Sequence, residues 1–256
     1  MLTIVYQKKM LLLKKKIIET EEDAADTRSR LVALFLVFAV VIFFWMAFHQ
    51  NGLTLTYFAR DFVKKSSTGV EGMMFNVTNL VAVIFIIYSL FSLFQSKKMG
   101  GKLISALVIL ASAGYLYYDY TQLPISGVEI SAPIFQQFNP SFVVALTPIS
   151  MALFGWLASK GKEPSAPRKI GYGMLVAGIA YVVMIMASIG LSYNLTDAQR
   201  VSPNWLVSTY LILTFAELLL SPMGISFVSK VAPDKYKGLM MGCWFGATAI
   251  GNFLVQ

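Results

Sequence analysis

An all-α integral membrane protein of about seven spans is the fold class this sequence predicts, and three observations predict it. Of 256 residues, 57% are hydrophobic and 13% charged, against roughly 25% charged in soluble domains. One soluble core of this size cannot hide so much apolar surface. Seven apolar stretches approach the ~20 residues that cross a bilayer core. Finally, the basic residues are sorted by loop, as bilayer-spanning chains require. Helix is the expected conformation throughout, because open strands leave backbone polar groups unsatisfied in lipid.

The segment 1–30 precedes the first span. Its short apolar start, Met1 to Tyr6, is broken by Lys8, Lys9 and Lys14 to Lys16, which interrupts any secretory signal core. Glu19, Glu21, Glu22, Asp23 and Asp26 are followed by Arg28 and Arg30. The pattern predicts a cytosolic amphipathic helix lying on the headgroups. Spans are then expected at about 31–50, 73–95, 101–119, 140–158, 169–191, 205–228 and 238–255.

With the amino terminus inside, the inner segments hold seventeen lysines and arginines. The outer segments hold four: Arg60, Lys64, Lys65 and Arg200. The outer loop 120–139 has none. This predicts a multi-pass protein of the plasma (inner) membrane with a cytosolic amino terminus. It also accounts for the formal net charge of +8 through the lipid bilayer, without nucleic acid as a partner.

Several chemistries drop out. A single cysteine, Cys243, allows no disulfide within the chain, and a single histidine, His49, with no acidic neighbour in sequence allows no metal site. No nucleophile–base pair or phosphate loop appears, so neither an enzyme nor a cofactor is expected.

Polar residues inside spans are costly and mark cavities or helix contacts. Span one ends in His49, Gln50 and Asn51, then Thr54, Thr56 and Asp61; span four opens with Gln136, Gln137 and Asn139; span six carries Glu217; span seven carries Trp244 and Asn252. Spans one, four, six and seven are therefore expected to line something wet, and two, three and five to face lipid. Glu217 is the sharpest signal. An ionised carboxylate among Phe215, Ala216 and Leu218 is expensive unless it takes a proton or a cationic partner, and a proton-coupled carrier needs such a group. The plainer reading is a protonated side chain hydrogen-bonding a neighbouring helix. Trp244 reads as cavity lining or interfacial belt. Asn139 and Pro140 also suit a helix start, Gly238, Gly242 and Gly246 suit helix packing, and Pro148 and Pro222 suit kinks. Asn76-Val-Thr78 and Asn194-Leu-Thr196 match the glycosylation pattern, a weak signal.

Four runs now resemble one family. Phe215-Ala-Glu-Leu-Leu-Leu-Ser-Pro-Met-Gly-Ile-Ser226 with Lys230-Val-Ala-Pro233 resembles the tenth helix of the proton-dependent oligopeptide transporters. Met240-Met-Gly-Cys-Trp-Phe-Gly-Ala-Thr-Ala-Ile-Gly-Asn252 resembles their eleventh, Phe135-Gln-Gln-Phe-Asn-Pro140 with Pro148 the start of their eighth, and Phe44-Trp-Met-Ala-Phe-His-Gln50 through Ala59 their seventh.

The resemblance implies a half-bundle of the major facilitator superfamily, whose two halves rock around a midplane site. Residues 31–63 would correspond to helix seven and 134–256 to helices eight to eleven, with 73–119 an inserted transmembrane hairpin. Helix twelve and the amino-terminal half of the carrier are not in the sequence, which reads as a fragment or one product of a split gene. The resemblance further implies proton-coupled symport of di- and tripeptides, with the proton gradient as the energy source. Glu217 and Asn139 would hold the peptide amino terminus, and Trp244 and Phe245 would line side-chain pockets. Asp61 would join a gating salt bridge. His49 stands where relatives often have glutamate; it either titrates near neutral pH or is a neutral hydrogen-bonding substitute. Two other readings stay open. One is a non-transporting membrane interaction subunit or truncated remnant. The other is a carrier of a different substrate such as nitrate.

Overall fold

The structure, a computed structural model, describes residues 2–192 and 195–255, with side chains from residue 23 onward except at 24 and 197. Asn194 and most of the amphipathic face proposed for 1–30 lie outside the described residues. The chain is helical almost throughout: α1 (Leu2–Phe48), α2 (Thr54–Phe62), α3 (Gly69–Met73), α4 (Val77–Gln95), α5 (Met99–Thr121), α6 (Phe138–Ser159), α7 (Ala166–Ser188), α8 (Asn204–Val231) and α9 (Lys237–Phe253). Six candidate membrane spans run from Ala25–Phe62 to Asn204–Val231 among the described residues. The expected seventh corresponds to α9, whose 17 residues sit at the short end of what crosses a bilayer. Where 1–30 was expected as a separate surface segment, its backbone continues without a break into span one.

Two compact units share these helices: one holds the chain up to Met46 with Gly224–Leu254, the other Ala47–Met223 with Val255. The larger unit contains the hairpin of α4 and α5. Asn76 caps α4, its Oδ1 accepting from the Thr78 amide at 3.0 Å and the Thr78 hydroxyl at 2.7 Å, so this glycosylation-like triplet serves as a helix start. The two helices are joined by Ser96–Lys98 and bolted near both ends. Asn79 Nδ2 donates to Asp119 Oδ2 at 2.7 Å, and Ser105 Oγ to Ser92 Oγ at 2.9 Å. Only 6% of the apolar window of α5 is buried, against 33% in α7. Helix α7 is thus packed more tightly within the chain than the hairpin is. Gly173, Ala177, Ala180 and Ala187 put a buried small-residue stripe on α7, which lets a neighbouring backbone approach closely. The Ala216 carbonyl of α8 lies 3.0 Å from where a Cβ on Gly173 would sit.

Where the hairpin leaves and returns, the chain is cross-tied. Two-residue strands β1 (Ser66–Ser67) and β2 (Val128–Glu129) pair antiparallel, Ser67 opposite Val128, and the Ile130 amide donates to the Lys65 carbonyl at 2.7 Å. Gly127, with φ +86°, supplies the left-handed turn into β2. The segment before α8 joins the tie: Lys64 N donates to Val201 O and Val201 N to Phe62 O, both at 3.0 Å. Glu71 accepts from Ser67 Oγ at 2.5 Å and Ser202 Oγ at 2.6 Å.

The smaller unit is built on a heptad-like stripe. Met240, Trp244, Ala247 and Gly251 of α9 are buried, as are Leu34, Phe38, Val41 and Phe44 of α1. Phe38 and Trp244 meet edge to face with ring centroids 6.3 Å apart. Gly238, Gly242 and Gly246 lie off the face that packs within this unit. A Cβ on any of them would meet open space, whereas Trp244 lies directly against Gly224.

Candidate functional site

The larger unit brings Asn139, Glu217 and His49 into one neighbourhood. Asn139 sits in the first turn of α6, after a 3-10 stretch over Ala132–Gln137, so it is no N-cap and its amide is free for tertiary bonds. Asn139 Nδ2 donates to Glu217 Oε2 at 3.1 Å and to Thr214 Oγ1 at 3.1 Å. Thr214 and Glu217 are three residues apart on α8 and so share a face. The buried Thr214 hydroxyl donates to the Tyr210 carbonyl at 2.8 Å, which leaves its oxygen to accept from Asn139. Glu217 is half-buried and interacts electrostatically with His49.

His49 lies at a break in the chain that the sequence reading did not place. Helix α1 ends at Phe48, a 3-10 turn spans His49–Asn51, and α2 begins at Thr54. Breaking a helix frees carbonyls that must find other donors in a bilayer. The Asn51 carbonyl accepts from the Tyr210 hydroxyl at 2.7 Å and the Thr56 hydroxyl at 3.3 Å, and the Ala47 carbonyl accepts from the Tyr181 hydroxyl. Gln136 Nε2 reaches Thr56 Oγ1 at 3.3 Å. Tyr181 and Tyr210 were missed because a tyrosine in an apolar helix carries no signal of direction. The Asn51-Gly52 pair was the available warning of the break.

Asp61 stands apart from this cluster on α2, its carboxylate held by the adjacent Arg60 at 2.8 and 2.9 Å. Trp244 and Phe245 belong to the smaller unit. Trp244 is 3% exposed and wedged over Gly224, while neighbouring Phe245 is 58% exposed.

The sequence profile of the POT family matches residues 115–256, more than half of the chain. The chain belongs to the POT family. Among relatives of this POT chain, the peptide transporter YePEPT of Yersinia enterocolitica is 33% identical over 172 residues, covering 62% of this chain and 33% of that protein. The dipeptide and tripeptide permease B of Xenorhabdus bovienii is 27% identical over 199 residues, 72% of this chain and 39% of the permease. A crystal structure of peptide transporter POT in complex with sulfate superposes with a TM-score of 0.60 at 24% identity, covering 91% of this chain and 34% of that one, and so shares the fold. The POT chain thus spans between a third and two-fifths of the length of these proteins.

Proposed function

We propose that this chain forms the carboxy-terminal half of a carrier that moves di- and tripeptides into the cell together with protons, by alternating access. The observation that carries this reading is the Asn139–Glu217 contact at 3.1 Å across α6 and α8 in a chain of the POT family, two of whose relatives are named as transporters of peptides. A carboxylate and an amide oxygen within one reach form an acceptor pair suited to a peptide ammonium group. Protonation of Glu217 weakens its hold on that cation, and a proton and a peptide then move together. The gradient supplies ~2.3 kcal/mol per charge per 100 mV and ~1.4 kcal/mol per pH unit.

Other assignments follow the same reading. His49 modulates the Glu217 carboxylate across the helix break. Asp61, released from Arg60, engages an arginine of the amino-terminal half of the carrier. In the smaller unit, Phe245 offers an exposed ring to peptide side chains and Trp244 shapes the wall behind it. The carrier works in the plasma membrane with its lysine-rich loops and amino terminus in the cytosol, acts as no enzyme and uses no cofactor.

The test is uptake of a labelled dipeptide by native-host membrane vesicles under an imposed inward proton gradient, wild type against Glu217→Gln. Gradient-driven uptake lost in the mutant is the expected result. Uptake indifferent to Glu217→Gln, or absent in both, rejects peptide symport.

A further inference from the structure

Pro148 lies inside α6. A proline has no amide hydrogen, so the carbonyl four residues earlier, that of Val144, loses its helical partner. The inserted hairpin supplies the replacement: Tyr88 Oη of α4 donates to Val144 O at 3.2 Å. One turn-mate is also diverted, since Thr147 Oγ1 donates to Val143 O at 2.6 Å, a bond that bends helices. On the Asn139 side of Pro148, the chain leading into α4 grips α6. Phe75 packs edge to face on Phe138 at 5.7 Å, and its carbonyl accepts from Gln137 Nε2 at 3.4 Å. On the other side a cleft of about 640 Å³ opens, lined by Phe91, Ser92, Gln95, Met151 and Ala152. The hairpin and the chain leading into it thus hold the Asn139 half of α6 at Gln137, Phe138 and Val144.

We propose that the hairpin braces α6 at Pro148, and that Tyr88 is a positioning residue that sets where Asn139 stands. The role in transport rests on the peptide-carrier reading above. Asn139 lies nine residues, ~13 Å, before Pro148 along the helix. A change of ~10° in helix direction at Pro148 displaces it by about 2 Å, more than a hydrogen bond tolerates. In lipid the Tyr88 hydroxyl and the Val144 carbonyl each lack water as an alternative, which makes the bond a selective latch. Tyr88→Phe removes the donor and keeps the ring. Pro148→Ala restores an amide to the helix and makes the donor redundant.

The test is a double-mutant cycle in the full-length carrier in lipid nanodiscs, with Tyr88→Phe, Pro148→Ala and both together. Amide hydrogen exchange over residues 138–147 needs no substrate. It is expected to rise threefold or more in Tyr88→Phe and to return to the wild-type rate in the double mutant. Exchange unchanged in Tyr88→Phe, or raised equally in both backgrounds, overturns the brace. Dipeptide uptake into sealed proteoliposomes is the second arm: KM is expected to rise at least threefold in Tyr88→Phe with maximal rate within twofold, again cancelled by Pro148→Ala. Altered exchange with an unaltered KM overturns the positioning role. Wild-type protein that transports no dipeptide rejects the peptide reading, while the exchange arm still decides the brace.

Discussion

The indole of Trp244 fills the space that a side chain on Gly224 would need: a Cβ built there would come 1.9 Å from the ring. A buried indole has no flexible end to yield, and Trp244 is also held against Phe38 at 6.3 Å between centroids. Gly224→Ala is therefore expected to destabilise by at least the about 1–3 kcal/mol of ordinary overpacking. Thermal unfolding of the purified carrier checks it, and Trp244→Leu in the same chain should recover most of the loss. An unchanged midpoint in Gly224→Ala would show that the wedge is not tight.

The Asn139 amide serves two acceptors at once, Glu217 and Thr214. Asn139→Ala also removes the amide oxygen proposed to accept from the peptide ammonium group, a bond to a charged group worth about 1.5–3 kcal/mol. Roughly a 10- to 150-fold rise in half-saturating dipeptide follows. Thr214→Val should cost far less, because it removes an acceptor of Asn139 and leaves the carboxylate contact. Half-saturation measured for both variants decides it; equal effects would move the functional weight from Glu217 to Thr214.

Lys169 is counted among the loop cations that orient the chain, yet it is 2% exposed. Its ammonium meets Glu163 Oε1 at 2.5 Å, the Phe154 ring at 4.1 Å and Met223 Sδ at 3.6 Å. Removing the acid strands a buried charge, whereas removing the base leaves a half-exposed carboxylate that water can solvate. Glu163→Ala is expected to lower the unfolding midpoint more than Lys169→Met. The reverse order would mean that the stem of Lys169, rather than its charge, carries the contact.

Within the hairpin, the buried Asn79 donates to Asp119 at 2.7 Å and to the Met73 carbonyl at 3.0 Å. Asp119→Ala leaves half of that buried amide without an acceptor, a loss of about 1 kcal/mol. Asp119→Asn keeps an acceptor oxygen and should be nearly silent. Protease susceptibility of the 120–131 connection is the readout, with faster cleavage expected in Asp119→Ala alone.

Hydropathy carries the class and the order of the helices, and even the hairpin, because a bilayer imposes length and apolarity on every span. It does not carry direction around a helix axis. Tyr181 sits in a span expected to face lipid and instead holds the Ala47 carbonyl, and the glycine stripe of α9 points away from its packing face. The β1–β2 tie was beyond reach for a different reason, since two residues cannot show alternation. Glu217 announced itself by cost alone. Its partner Asn139 came from motif resemblance, because an asparagine next to proline reads equally well as a helix start. The break at His49–Asn51 had the Asn51-Gly52 pair as its signal in the sequence.

Because Ser67 and Val128 face each other in the β1–β2 ladder, the sixty residues between them begin and end at one doorway. The excursion runs out along α4 and back along α5 and so returns to the side on which it started. A chain joined directly from the first strand to the second would keep every later helix on its original heading. The hairpin thus has the geometry of a cassette: it can be present or absent without rerouting the later helices, which it touches through contacts such as Tyr88 on Val144.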